Sequence, residues 1–382
     1  MQYQIFICAI LILFIFNLLL NLRRIKIPDR NAKLAESIPF ISVLVPARNE
    51  EANIKSCLES LLKQDYPNYE ILVLDDNSSD KTAEIVREIS GVEKRVRLIA
   101  GNPLPDGWAG KCYACYQLAR QAKGSWLLFT DADTVHEPHM LRSILNIAVK
   151  EKVSLISGFP RLTGENWAEK IVLPVIYFII LGWIPLWFIQ NKKFNIPSLA
   201  IGQFLFFNTR DYWKFGGHEA VKAKILEDVW LCVQTVRHGG KYLAVDLSST
   251  VTTKMYRSVG DMWEGFVKWM YSVVSLSPWL LFVLLVVAYI FYLAPFYELW
   301  KVLFILPEPG DVVFIVTFQV IIIFLMRWLV DSHFKEPAVS TVAHPASFVY
   351  VYLAALYAAF RYLSGSGVSW KKRVYYRESG VK

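Results

Sequence analysis

The sequence predicts an α/β protein: a Rossmann-like, doubly wound, mostly parallel sheet with one N-terminal and about three C-terminal membrane helices. Between residues 40 and 157, short apolar runs alternate with amphipathic stretches, the pattern of strands joined by crossover helices. The composition supplies the second observation: 54% of the 382 residues are hydrophobic and only 19% are charged. That is too apolar for an ordinary soluble domain and too charged for a wholly embedded one. The net charge of +8 gathers near the apolar segments, which favours an anionic lipid surface over nucleic acid. Cys8, Cys57, Cys112, Cys115 and Cys232 form an odd set without framework spacing, as expected of a reduced, cytosolic environment.

From the N-terminus onward, residues 5–22 are almost wholly apolar and long enough to span a bilayer, so 1–22 is read as a transmembrane helix. No basic residues precede it and no small-residue cleavage site succeeds it, which argues against a cleaved signal peptide. Arg23, Arg24, Lys26, Arg30 and Lys33 come next, in a basic linker over 23–39. The positive-inside tendency puts this linker and the domain after it in the cytoplasm. Residues 41–45 form a strand ended by Pro46, and 51–64 a helix with Ile54, Leu58, Leu61 and Leu62 on one face. The strand at 69–74 runs into Asp75-Asp76-Asn77-Ser78-Ser79-Asp80, which supplies a turn and a cap for a helix over 81–89. Strands at 96–99, 125–129 and 153–157 alternate with helices at 111–122 and 138–150.

Residues 171–189 are apolar, but Pro174, Gly182 and Pro185 interrupt them. The segment 171–190 is read as interfacial or re-entrant. A strand at 204–207, a loop at 215–217 and a helix at 227–238, stopped by Gly239-Gly240, complete a catalytic-type domain over 40–256. In 257–274, Met262, Trp263, Phe266, Trp269 and Met270 at helical spacing suit a helix in the headgroup layer. The region 275–362 holds apolar segments at 278–296, 312–330 and 345–362, and a basic tail covers 363–382. Three spans after an inward first helix would put that tail outside, whereas its charge favours the inside. One terminal segment is therefore expected to be a hairpin or to lie in the interface.

Ligands of a doubly wound sheet sit at the carboxyl ends of its strands. Pro46, Asp76 and Asp131 all fall there. Asp131-Ala132-Asp133 ends the apolar run 125–129, and two carboxylates one residue apart suit Mg²⁺ or Mn²⁺ together with a diphosphate. A lone Asp-x-Asp is as often a charged loop. Cys112-x-x-Cys115 has neither a second pair nor a suitable His spacing, so it is read as helix packing rather than a zinc or redox site. His136 and His139 are read as polar loop residues. Arg257 and Lys268 are assigned to lipid headgroups.

The ordered set Val45-Pro46-Ala47-Arg48-Asn49-Glu50, Asp75-Asp76-Asn77-Ser78, Gly110-Lys111, Asp131-Ala132-Asp133, Gly216-Gly217 and Glu227-Asp228 resembles the family-2 glycosyltransferases of GT-A fold. The run Leu104-Pro105-Asp106-Gly107-Trp108-Ala109-Gly110-Lys111 and the closing Gly367-Val368-Ser369-Trp370-Lys371 are similar to membrane glycosyltransferases associated with hopanoid and carotenoid biosynthesis, including the diaponeurosporenoate type. Processive synthases of the family carry Gln-x-x-Arg-Trp after the core. Here Gly265-Phe266-Val267-Lys268-Trp269 stands instead, which favours a single transfer over polymerisation.

The resemblance implies an inverting, membrane-bound hexosyltransferase that moves one sugar from a UDP-sugar donor to a lipid acceptor of isoprenoid, carotenoid or hopanoid type. It also implies site residues. Pro46, Ala47 and Arg48 would line the nucleotide, with Glu50 either beside it or starting a helix. Asp76 would bind uracil. Lys111 would reach a phosphate from a helix start. Asp133 would hold the metal, with Asp131 on ribose or metal. Asp228 would be the general base and Glu227 would orient the acceptor or Asp228. Two acids in a first helical turn also simply offset the dipole. Were the acceptor a carboxylate, Asp228 would only position it. The rival readings are a polyisoprenyl-phosphate glycosyltransferase and a non-catalytic nucleotide-sugar-binding scaffold of a polysaccharide complex.

Overall fold

The computed structural model describes residues 1–33, 38–164, 166–190, 199–224, 226–256, 258–305, 309–370 and 373–375. Arg257 and, in the basic tail, residues 371–372 and 376–382 lie outside them.

The strands are β1 (Ile41–Ala47), β2 (Tyr69–Asp75), β3 (Val96–Ala100), β4 (Trp126–Thr130), β5 (Thr134–His136), β6 (Leu155–Phe159), β7 (Arg161–Leu162), β8 (Phe204–Asn208), β9 (Tyr242–Asp246), β10 (Val251–Thr253), β11 (Val368–Trp370) and β12 (Arg373–Tyr375). Among the described residues, seven strands make the main sheet in the order β3-β2-β1-β4-β8-β6-β9. It is parallel except for β8, which runs antiparallel to both β4 and β6. A small sheet, β5-β10-β7, and a hairpin, β11-β12, stand apart from it. This is the mostly parallel, doubly wound sheet expected, with β8 as an antiparallel member that was not, and its order reverses beside β1, where such folds open a ligand crevice.

Pro46 does not end β1. The strand runs through it to Ala47, in register with Asp75 of β2. On the other side, β4 pairs with β1 only as far as Leu44. Pro46 therefore has no ladder bond to lose on that side. The helix expected from Glu51 begins at Ile54. Glu51 is engaged instead by the next loop, its amide donating to Asp80 and its carboxylate accepting from the Lys81 amide.

Side chains alternate along the strands, so each face of the sheet has its own core. Val43, Val45, Ile71, Val73 and Leu128 face one way, with the helices Ile54–Leu62 and Met140–Glu151. Leu44, Leu72, Leu127 and Phe129 face the other, in a core that continues without a break to Phe178, Met326, Leu11 and Ile7. Sheet and apolar helices thus share one hydrophobic interior, and burial of this kind is the main force holding them together.

Four helices of the described residues are long and apolar enough to cross a membrane: Gln2–Arg24, Pro278–Phe304, Gly310–Phe334 and His344–Leu363. The second is broken at Leu293 into Pro278–Tyr292 and Ala294–Phe304. The first and third run parallel. Gln319 donates to Gln4 near one end. At the other end, the Lys26 carbonyl accepts from the Asp246 amide and His333 pairs with Asp246 at 2.9 Å. The apolar segment after Ile171 forms the short helices Val175–Trp183 and Leu186–Ile189. Neither is long enough to span, since nine helical residues cover only about 13 Å. The orphan carbonyls of the first are met by the first membrane helix: Asn21 donates to Leu181 and Ile184, and Asn17 to Gly182. This explains why two asparagines interrupt an otherwise apolar helix.

The amphipathic helix extends over Val259–Leu276 and is capped by Ser258, whose hydroxyl accepts from the Asp261 amide. It lies along His344–Leu363 through Trp263–Tyr350 and Tyr271–Tyr362 ring contacts at 5.4 and 5.9 Å.

Candidate active site

The loops after β1 and β2 are stitched together. Asp76 donates its amide to the Ala47 carbonyl, and Arg48 Nη1 donates to the Asp76 carbonyl at 2.7 Å. The same guanidinium lies 3.8 Å from the Asp76 carboxylate. Asn49, at φ 55°, accepts from the Ser79 amide through its side chain. The Glu50 amide donates to Thr82, and the Glu50 carboxylate accepts from Asn53. Glu50 thus closes a turn, which favours the helix-entry role for it. Pro46, Ala47, Arg48 and Asp76 form a pre-shaped lip at the carboxyl edge of the sheet.

Asp131 and Asp133 come directly after β4. The Asp131 carbonyl accepts from the Thr134 hydroxyl at 2.7 Å, which pins the turn and leaves the carboxylate to point elsewhere. That carboxylate meets Lys111: Nζ lies 2.7 Å from Asp131 Oδ1 and 3.2 Å from Glu227 Oε1. Lys111 stands in the first turn of the helix Gly110–Gln121. The two carboxylates hold its ammonium well above the usual lysine range, against the opposing pull of burial.

Asp228 opens the helix Glu227–Arg237. Its Oδ2 accepts from the Gly202 amide at 2.7 Å and its Oδ1 from its own helix at Val229. Burial, and then the charge of Glu227, push its carboxyl up to about 7. A carboxyl poised near neutrality is what proton transfer at physiological pH needs. The structure therefore brings Lys111, Asp131, Glu227 and Asp228 into one cluster, with Asp133 two residues from Asp131.

Gly202 is a site residue that the sequence did not betray. A Cβ there would stand 3.0 Å from Lys111 Nζ, 3.1 Å from Asp228 Oδ2 and 3.5 Å from Glu227 Oε1. The charged tips converge on a position that a side chain would crowd and that glycine leaves open. The one available signal was a glycine two residues before an apolar strand.

Other expectations resolve in packing. His136 is not a loop residue. It lies on β5, buried, with Nε2 near the Thr130 and Thr134 hydroxyls. Burial pushes it down to about 3, so it stays neutral. Cys112 and Cys115 are buried free thiols on the inner side of their helix. Gly217 belongs to a short 3₁₀ turn, where a Cβ would strike the Tyr212 ring at 2.5 Å.

Among the described residues, no three His, Cys, Asp or Glu side chains gather into a metal cage. The donor set is nonetheless apt for Mg²⁺ or Mn²⁺. Asp131 and Asp133 supply hard oxygens beside a cleft, and these ions bind through one or two carboxylates plus phosphate oxygens rather than a complete protein shell.

The fold and this cleft define a membrane-attached α/β protein with an acidic, lysine-bridged site at the carboxyl edge of its sheet. Residues 42–213, a little under half of the chain, match the model of Glycosyl transferase family 2. The 4,4'-diaponeurosporenoate glycosyltransferase of Staphylococcus haemolyticus is 30% identical over 207 residues, covering 54% of each chain. The beta-monoglucosyldiacylglycerol synthase of Trichormus variabilis is 34% identical over 122 residues, 31% of this chain and 26% of that one. The chain thus spans about half the length, or less, of these curated relatives. The mannosyltransferase PcManGT of Pyrobaculum calidifontis, solved with GDP-Man and Mn²⁺, superposes with a TM-score of 0.55 at 18% identity, over 94% of this chain and 98% of that one. At that identity the likeness speaks for the fold alone, and it extends over the membrane helices as well as the sheet.

Proposed function

We propose that the protein is an inverting, metal-dependent glycosyltransferase of the cytoplasmic membrane, moving a single hexose from a UDP-sugar to a lipid acceptor. The relatives' names, a carotenoid-acid and a glycolipid enzyme, support a lipid acceptor; an isoprenoid hydroxyl or carboxyl is the reading we adopt. The observation that carries the proposal is the cluster itself. A carboxyl held near neutrality, Asp228, stands beside a lysine that also reaches the Asp-x-Asp turn.

In this mechanism Pro46, Ala47, Arg48 and Asp76 hold the nucleotide, the Asp76 carboxylate accepting the N3 hydrogen of uracil. Lys111 offsets charge on the diphosphate. Asp133 and Asp131 would hold Mg²⁺ or Mn²⁺, which as a Lewis acid neutralises the departing diphosphate. Asp228 takes the proton of the acceptor hydroxyl as its oxygen attacks the anomeric carbon. The new C–O bond forms opposite the breaking bond to the diphosphate, and UDP leaves. Glu227 keeps Asp228 basic through its charge and orients the acceptor.

The proposed organisation is an anchor at 1–22, a basic linker at 23–39, a catalytic domain at 40–256 and an interfacial helix at 257–274. A membrane region at 275–362 and a basic tail at 363–382 complete it, with the catalytic domain facing the cytoplasm. The arginines and lysines after the first helix support that orientation. The segment 171–190 and the helix Val259–Leu276 would flank the acceptor.

The test uses purified full-length protein, radiolabelled UDP-glucose, Mn²⁺ and a lipid extract. Wild type labels an organic-soluble product and Asp228→Asn does not. Absence of label with wild type across UDP-hexoses contradicts the proposal. Equal labelling by the variant removes Asp228 from proton transfer and points to a carboxylate acceptor.

A further inference from the structure

Lys111 is tied to two partners that belong to different halves of the proposed chemistry. Its Nζ is 2.7 Å from Asp131 Oδ1, on the Asp-x-Asp turn, and 3.2 Å from Glu227 Oε1, next to Asp228. The Gly202 carbonyl lies 3.5 Å away on a third side. The lysine starts from the helix Gly110–Gln121, the acids from the ends of β4 and the helix Glu227–Arg237, so three separate elements meet on one ammonium. Asp131 and Lys111 are both partly open to the cleft, with side-chain exposures of 27% and 38%.

Asp131 cannot give the same oxygen at full strength to an ammonium and to a divalent ion. A divalent ion arriving by itself beside Lys111 also meets like-charge repulsion at short range. A nucleoside diphosphate removes both obstacles, because its oxygens offer Lys111 a second anionic partner and complete the shell of the ion. Resting on the function proposed above, we infer that Lys111 is a built-in competitor for the metal site that makes divalent-cation binding depend on the nucleotide. Lys111 holds Asp131 until a diphosphate draws it away. Metal and nucleotide then bind with positive coupling, each raising the affinity for the other by the same factor. Glu227 is the second tether, which keeps Lys111 in the cleft during the exchange.

The experiment measures free Mn²⁺ by electron paramagnetic resonance during titration of detergent-purified full-length protein, with and without UDP. Wild type, Lys111→Met and Lys111→Arg are compared. Without UDP, K111M binds Mn²⁺ about tenfold more tightly than wild type, the scale of one charge-assisted contact at a partly exposed site, while K111R stays close to wild type. With UDP present the difference shrinks or reverses, so the coupling between UDP and Mn²⁺ falls in K111M. Unchanged or weaker Mn²⁺ binding by K111M without UDP overturns the inference and leaves the proposed function standing. Failure of wild type to bind Mn²⁺ even with UDP overturns both.

Discussion

Asp228 gives the sharpest quantitative expectation. Its carboxyl lies near 7, raised from 3.8 first by burial and then by Glu227. If it takes the acceptor proton, kcat/KM rises with pH and levels off above 8. About one-eleventh of the group is ionised one unit below its midpoint and about ten-elevenths one unit above, so the rate climbs about tenfold from pH 6 to pH 8. Glu227→Gln removes the second cause and moves the midpoint to lower pH. Asp228→Asn abolishes the ionisation and lowers kcat by about 10²–10⁴-fold, the usual worth of a positioned base. Stability runs the other way. A carboxyl whose folded value lies above its unfolded value destabilises the fold progressively as pH rises from about 4 to about 7. D228N should therefore melt at a higher temperature than wild type at pH 8 and lose that advantage near pH 4. The assay is initial rate against pH with UDP release as readout, paired with thermal melts in the same detergent. A flat profile between pH 5.5 and 8.5, or a midpoint that moves upward in E227Q, refutes the reasoning.

Two further expectations concern the scaffold. Arg327 is fully buried on the helix Gly310–Phe334, paired with Asp331 at 3.1 Å and donating to the Ile171 carbonyl and Ser340. Arg327→Leu strands Asp331 and costs about 3–5 kcal/mol, whereas the double change R327L/D331L costs less, because no lone buried charge remains; melts in one detergent compare them. Cys57, Cys112, Cys115 and Cys232 are buried, and burial pushes the Cys115 thiol up. They should resist maleimide in the folded protein and react after denaturation, and C112S/C115S should bind no less zinc than wild type; rapid native labelling of Cys112 would revive a redox reading.

Much of this architecture was legible because local and global signals agreed. The strands around Val43, Leu72 and Leu128 are short apolar runs bounded by turn residues; the turn expected before the next helix is there, with Asp80 accepting from the Thr82 amide, but the cap position itself falls on Lys81, whose side chain makes no capping bond. The Asp-x-Asp and Glu-Asp pairs fell at strand and helix ends, as spacing implied. What stayed hidden depends on partners distant in sequence. The reversed direction of β8 cannot be read from Phe204–Asn208, since a buried strand looks the same either way. Strands β5, β7 and β10 are two or three residues long, below any periodicity. Pro46 looked like a terminator because a proline's cost depends on which neighbour pairs beside it. Gly202 matters through three charged tips from other elements, and Lys111 through two acids 20 and 116 residues away. The role of Asn17 and Asn21 in the first apolar helix likewise depends on distant partners, the carbonyls of Leu181 and Ile184.

The central claim is that Asp133 and Asp131 hold a divalent ion against a nucleoside diphosphate. Calorimetric titration of UDP into the purified full-length protein, with Mn²⁺ and with EDTA, tests it most directly. The account predicts tight binding only with Mn²⁺, and loss of that metal dependence in Asp133→Ala. UDP binding that is indifferent to EDTA, or a D133A protein that keeps the full metal effect, would contradict it.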